Sequence, residues 1–96
     1  MFFVAICLDK PDSHELRLQN RAAHLDYLRL NSGSIKTCGP FLSEDGTRMI
    51  GSLLVIEAED RGTVDALLAR DPYRAVDLFQ SIEVRPWRWV IGAPVP

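Results

Sequence analysis

Three observations place these 96 residues in the α+β class, with elements in the order βαββαβ. Four short apolar runs, rich in aromatic and β-branched residues, read as strands. Two stretches with apolar residues at helical spacing separate the first run from the second and the third from the fourth. Asp45-Gly46 between the middle two runs is a hairpin signal, so the sheet is antiparallel there. One domain spanning 1–96 is expected, since a chain of this length supports a single core.

The first strand is Phe2 to Leu8, seven apolar residues in a row, as for a strand buried on both faces. Asp9-Lys10-Pro11 ends it. Asp12 then looks like an N-cap, with Glu15 completing a capping box, and the helix should run to about Leu30. Asn31-Ser32-Gly33 supplies residues that tolerate a left-handed C-cap. On a helical wheel Leu16, Ala23, Tyr27 and Leu30 make one apolar face, and Leu18, Ala22 and Leu25 make another. Between them Arg17, Arg21 and His24 stack at spacings of four and three. That stripe calls for an anion, a carboxylate-bearing ligand, or an acid from elsewhere in the fold. The plainer reading has the arginines snorkelling along the core edge and His24 as a half-buried ring.

Ile35 to Leu42 is the second strand. Pro40 inside it cannot donate to a ladder, so an edge position or bulge is expected, and Gly39 permits close backbone approach. The third strand runs from about Met49 to Glu57. Gly51-Ser52 near its start offers a second place where ligand could meet backbone, although packing constraint is the commoner cause. Asp60 caps a helix from Arg61 to Asp71 that buries Val64, Leu67 and Leu68. Pro72 stops it, leaving Asp71 at the bend. A further helical turn, Tyr73 to Leu78, leads to a last strand from Phe79 to about Ile91. Pro86 in mid-course should bend that strand or send it toward another subunit. Ala93-Pro94-Val95-Pro96 reads as a frayed tail.

Two helices on one face of a four-stranded antiparallel sheet make the ferredoxin-like arrangement. The other face, with Trp87, Trp89 and several aliphatics, needs a cover. A homodimer with stacked sheets, open to higher homo-oligomers, is the simplest one.

Composition excludes several classes. With 47% apolar residues, 25% charged residues and a net charge of −2, the chain has neither a disordered composition nor a basic footprint for nucleic acid. The apolar N-terminal run is too short to span a bilayer and lacks the flanks of a signal peptide, so no membrane role and a cytoplasmic location are expected. Cys7 and Cys38 read as buried thiols rather than a disulfide or nucleophiles. His14 and His24, with no cysteine beside them, are a poor metal set. Phosphate-loop, dinucleotide and nucleophile-elbow motifs are missing. No metal and no cofactor are therefore expected. The chemistry left is proton transfer by a histidine oriented by a carboxylate. The plainer reading of Asp71 is a solvated helix stop.

Arg17-x-x-x-Arg21-x-x-His24-Leu25-x-Tyr27-Leu28, Cys38-Gly39-Pro40-Phe41, Gly51-Ser52-Leu53-Leu54, Asp71-Pro72-Tyr73 and Arg85-Pro86-Trp87 occur in that order along nearly the whole chain. No single motif is specific, but the ordered set resembles the YciI-like family. That family is similar in fold to the muconolactone isomerases and other dimeric α/β barrels. The resemblance implies a histidine-aspartate pair in a cleft, His24 and Asp71 here. Arg17, Arg21, Gly39, Pro40, Ser52 and Tyr73 would contact a small anionic or phenolic ligand. One relative is a dehydrochlorinase of a chlorinated hydroxyhydroquinone, so an acid-base lyase or isomerase is expected. The alternative is a non-catalytic module that binds a small anion in the same cleft, and a third is a purely structural dimer. One departure stands out. Asp77 precedes Leu78-Phe79 where the family usually has glycine, and it would add a carboxylate near the pocket wall.

Overall fold

The computed structural model describes residues 1–92. Its elements are β1 (Phe2–Asp9), α1 (His14–Leu30), β2 (Ile35–Leu42), β3 (Met49–Glu57), α2 (Arg61–Ala69), α3 (Pro72–Ala75) and β4 (Phe79–Trp87). The strands form one antiparallel sheet in the order β2-β3-β1-β4, which is the ferredoxin-like topology. The expected tail, Ala93 to Pro96, lies outside the described residues.

Register decides which side chains meet the helices. On β1 the residues Phe3, Ala5 and Cys7 are buried, and across β3 they face Ile56, Leu54 and Ser52. Side chains alternate along a strand, so these positions share the helix-covered face. Val64, Leu67 and Leu68 of α2, together with Tyr27, Tyr73 and Leu78, close the core over them. Asp60 caps α2 as expected, its carboxylate accepting from the Thr63 amide at 2.8 Å. Gly51 stands opposite Leu8, and a Cβ there would lie 2.6 Å from the Cys7 carbonyl oxygen. Packing accounts for that glycine, whereas a Cβ on Gly39 would meet nothing within 4 Å.

Several expectations need correction. Asp12 does not cap α1. It takes a left-handed φ of 57°, and Ser13 holds the cap position without a side-chain hydrogen bond. The α1 C-terminus has no left-handed residue either; the Asn31 side chain donates to the Tyr27 carbonyl at 2.8 Å. The expected apolar faces hold only in part, through Tyr27 and Leu16. α1 buries Arg17, His24 and Tyr27, while Leu18 and Leu30 are exposed. Arg17 and His24 of the polar stripe can turn inward because Asp9 and Asp71 meet them. α2 stops at Ala69, so Asp71 belongs to the next helix, capping α3 by accepting from the Tyr73 amide at 3.0 Å. Cys38 is exposed because β2 lies at the sheet edge beyond the helices.

Pro40 does sit on that edge, with register shifts in the β2–β3 pairing before Thr37 and after Phe41. Pro86 causes no register shift in the β1–β4 pairing. It stays opposite Phe3 on the other edge, and the strand ends at Trp87, short of Ile91. Asp77 has φ 57°, the left-handed geometry that glycine adopts without strain. Its exposed carboxylate pairs with Lys10, so it is a surface turn residue, and it is not among the residues that line the cleft between α1 and β2–β3.

Candidate functional site

α1 and α2 leave the helix-side surface of β2 and the adjoining part of β3 uncovered. The gap is a cleft of about 160 Å³. One wall is α1, through Arg17, Arg21, His24, Leu25 and Leu28. The floor is Cys38, Gly39 and Pro40 of β2 with Ser52 and Leu54 of β3, and Tyr73 closes one end.

His24 is brought to the cleft by the α1 stripe, and Asp71 is held behind it by the Pro72 turn. His24 Nδ1 lies 2.9 Å from Asp71 Oδ1, and both residues are buried. The same Oδ1 accepts from the Tyr73 amide, so it is an acceptor toward the ring as well. Nδ1 is therefore the nitrogen that donates to Asp71, and Nε2 lies on the opposite edge of the ring, toward the cleft. Asp71 does not line the cleft. The Tyr73 ring stacks on His24 with centroids 4.1 Å apart, and the Arg17 guanidinium sits 4.5 Å from the Tyr73 centroid on the way to the sheet. Burial pushes the Tyr73 phenol up from its ordinary value, with the Arg17 charge opposing.

Arg17 and Arg21 take different parts. Arg17 is almost wholly buried and grips Asp9 with two bonds, Nε to Oδ2 at 2.7 Å and Nη2 to Oδ1 at 2.9 Å. Its Nη2 also donates to Ser52 Oγ at 2.9 Å. Burial alone would lower the guanidinium pKa, but the Asp9 bonds and charge outweigh it, and the net direction is upward. The acid from elsewhere in the fold is thus Asp9, and the Arg17 charge is balanced within the chain. Arg21 lines the cleft with no carboxylate partner among the described residues; its Nη1 approaches Met49 Sδ at 3.4 Å.

Asp9 is the site residue that the sequence reading missed. It looked like the polar end of a strand, eight positions before Arg17, with no spacing rule to join them. Its one signal was position: two residues beyond Cys7, it falls on the same strand face as Phe3, Ala5 and Cys7. The other expected site residues, His24, Arg17, Arg21, Gly39, Pro40, Ser52 and Tyr73, all line one cleft.

The same arrangement can be sought in known proteins. A TftG structure, the 5-chloro-2-hydroxyhydroquinone dehydrochlorinase of Burkholderia phenoliruptrix AC1100 in complex with 2,5-dihydroxybenzoquinone, superposes with a TM-score of 0.84. It is 35% identical, over 92% of this chain and 94% of that one. Protein Atu4242 from Agrobacterium tumefaciens, 17% identical with full coverage of both chains, has a TM-score of 0.58 and shares the fold alone. Among curated proteins, Protein YciI of Escherichia coli O6:H1 is 33% identical over 97 residues, covering 94% of this chain and 99% of that protein. The YCII-related domain profile matches residues 1–88, which hold every element described above from β1 to β4. With cleft, stripe and strands all inside that match, the chain belongs to the YCII-related domain family.

Proposed function

We propose that the protein is an acid-base enzyme acting on a small oxygenated ring, with His24 as the proton-transfer residue and Asp71 as its orienting partner. The observation that carries this reading is the 2.9 Å contact between His24 Nδ1 and a buried carboxylate, with Nε2 left on the cleft side. Capping α3 needs only one acceptor, and serine or asparagine would supply it. A buried carboxylate facing the ring goes beyond that need. It fixes the tautomer in which Nε2 accepts a proton.

A lyase of the dehydrochlorinase kind is the finer proposal, and the 35% identity with TftG over nearly the whole chain supports it. In such a step His24 takes a proton from the substrate while chloride leaves with the electron pair of its carbon–chlorine bond. The net loss is HCl, and no external oxidant is required. The volume near 160 Å³ suits a single six-membered ring. A homodimer closing the open sheet face completes the proposed assembly.

The test is chloride release from 5-chloro-2-hydroxyhydroquinone and related halogenated hydroxyphenols, followed together with the ring absorbance. His24→Ala should reduce the rate on the order of 10²–10⁴-fold. A folded His24→Ala protein turning over at the parent rate would remove His24 from the chemistry. The alternative, a non-catalytic anion-binding module, draws on Arg21, a cleft-lining charge without a carboxylate partner among the described residues. Ligand binding by the parent protein with no turnover of any such substrate selects it.

A further inference from the structure

One hydrogen bond does not set the plane of the His24 ring. The 2.9 Å contact from Nδ1 to Asp71 Oδ1 fixes one edge atom, and the outer torsion of a histidine is broad and two-fold. The plane is set by a second contact, the Tyr73 ring, which lies 4.1 Å away and only 19° from parallel. Tyr27 stands farther off, at 6.1 Å and tilted by 30°. What keeps the Tyr73 ring in place lies behind it. Arg17 and His24 are seven positions apart on α1, two turns or about 10 Å, and the Tyr73 ring stands between them. The guanidinium 4.5 Å from its centroid cannot retreat, because Asp9 holds it by two bonds and Ser52 by a third. Phe79 meets the same ring edge-on at 5.9 Å. The column of Asp9, Arg17, Tyr73 and His24 side chains is nearly closed to solvent along its length.

We infer that Tyr73 is a positioning residue: a wedge, backed by the Asp9 and Arg17 pair, that holds the His24 imidazole in the plane presenting Nε2 to the cleft. The inference rests on the proton-transfer reading of His24 and gives Tyr73 a part other than ligand contact. That part needs the face of the ring and not the phenol oxygen. The Tyr73 amide also bonds Asp71 Oδ1, and a side-chain substitution leaves that bond in place. Ring and amide are thus separable by mutation.

Proton NMR of the His24 ring tests this without substrate. The ring current of a stacked aromatic should move the His24 carbon-bound protons upfield of those of His14, which is in none of the aromatic pairs among the described residues. Loss of the signals in His24→Ala assigns them. Tyr73→Phe should keep the shift, and Tyr73→Leu should abolish it. In turnover of a halogenated hydroxyphenol, Tyr73→Leu should lower kcat on the order of 10²-fold with KM little changed, the effect of a misplacement of about 1 Å. Tyr73→Phe should stay near the parent in both constants. Tyr73→Met fills the space without a π face and takes the same role should Tyr73→Leu not fold. Parent His24 signals without an upfield shift overturn the wedge, as does a folded Tyr73→Leu or Tyr73→Met protein with the parent kcat. A Tyr73→Phe protein whose KM rises while kcat holds overturns it too, and makes Tyr73 a ligand contact. Should the ring signals behave as expected while no halogenated phenol is turned over, the wedge stands and the lyase reading falls.

Discussion

Asp71 serves two partners through one oxygen, and that makes its variants informative. Asp71→Asn keeps an acceptor for the Tyr73 amide and so keeps the α3 cap. With its oxygen in the Oδ1 position the amide also still accepts from Nδ1, but it carries no charge to stabilise the imidazolium that forms when His24 takes a proton. Asp71→Ala removes both contacts. Activity should fall by much of the His24→Ala factor in each, while thermal stability falls mainly in Asp71→Ala. The His24→Ala, Asp71→Asn double variant should be little slower than either single one, because groups acting as a unit are not additive. Independent, multiplying losses would separate the two residues. The cysteines give a pH prediction. Burial, reinforced by the Asp71 charge, pushes the Cys7 thiol from 9.0 to about 12. The unfolded chain then loses the proton first, so unfolding releases protons and stability falls as pH rises from about 9 toward 12. Tyr27, also pushed up by burial, adds to the fall. Urea midpoints across that range should decline in the parent and decline less in Cys7→Ala. A flat profile would contradict the buried thiol. A thiol reagent at pH 8 should label exposed Cys38 alone until denaturant is added.

At the scale of elements, the sheet was legible and the first helix only in part: its extent and the burial of Tyr27 were, the exposure of Leu18 and Leu30 was not. Asp-Gly, Pro40 and the strand runs specify pairing through local chemistry, and β3 and α2's buried positions came out as expected. Leu18 and Leu30 were misplaced because wheel arguments assume that leucines face inward. Here Asp9, from another element, neutralises Arg17 and lets a charged residue take the core position. Such a pairing is non-local and leaves no spacing in the sequence. The cleft residues were readable as an ordered set, but the division of labour between Arg17 and Arg21 needed the Asp9 contact. This pair also has an energetic consequence. Both side chains are nearly inaccessible, so Asp9→Ala would leave an uncompensated buried guanidinium and cost about 3–5 kcal/mol. The β1–β3 pairing is equally unforgiving at Gly51. Gly51→Ala places a methyl against the Cys7 backbone oxygen, which no side-chain rotation relieves, and should destabilise by about 1–3 kcal/mol. Equilibrium denaturation checks both. A Gly51→Ala protein as stable as the parent would mean that β1 and β3 can separate locally without loss.

For the whole molecule, the decisive asymmetry lies between the two faces of the sheet. The helix side buries Phe3, Ala5, Cys7, Leu54 and Ile56. On the other side the alternating partners Phe2, Val4 and Ile6 are only half-covered, and Leu8 and Trp87 are exposed. Trp89 folds back on Phe2 and Trp87, with centroids 5.6 and 5.2 Å apart, and shields only that end of the sheet. A central strand apolar on both faces is characteristic of sheets covered on both sides. Within residues 1–92 the second cover is absent. Along β4 the open face carries Glu83 and Arg85, which pair with each other, so the apolar area is a stripe on β1 and β3 with a charged border. This composition suits association of two copies, apolar at the centre and polar at the rim. Sedimentation at micromolar concentration should give about twice the 10.8 kDa chain mass. Ile6→Lys, at the middle of the stripe, should shift that species toward the single chain, since it sets a charge where the partner sheet would desolvate it. The helix-side core is untouched by this change, so the variant's far-ultraviolet spectrum should match the parent's. A parent protein sedimenting as one chain at that concentration would overturn the stacked-sheet assembly.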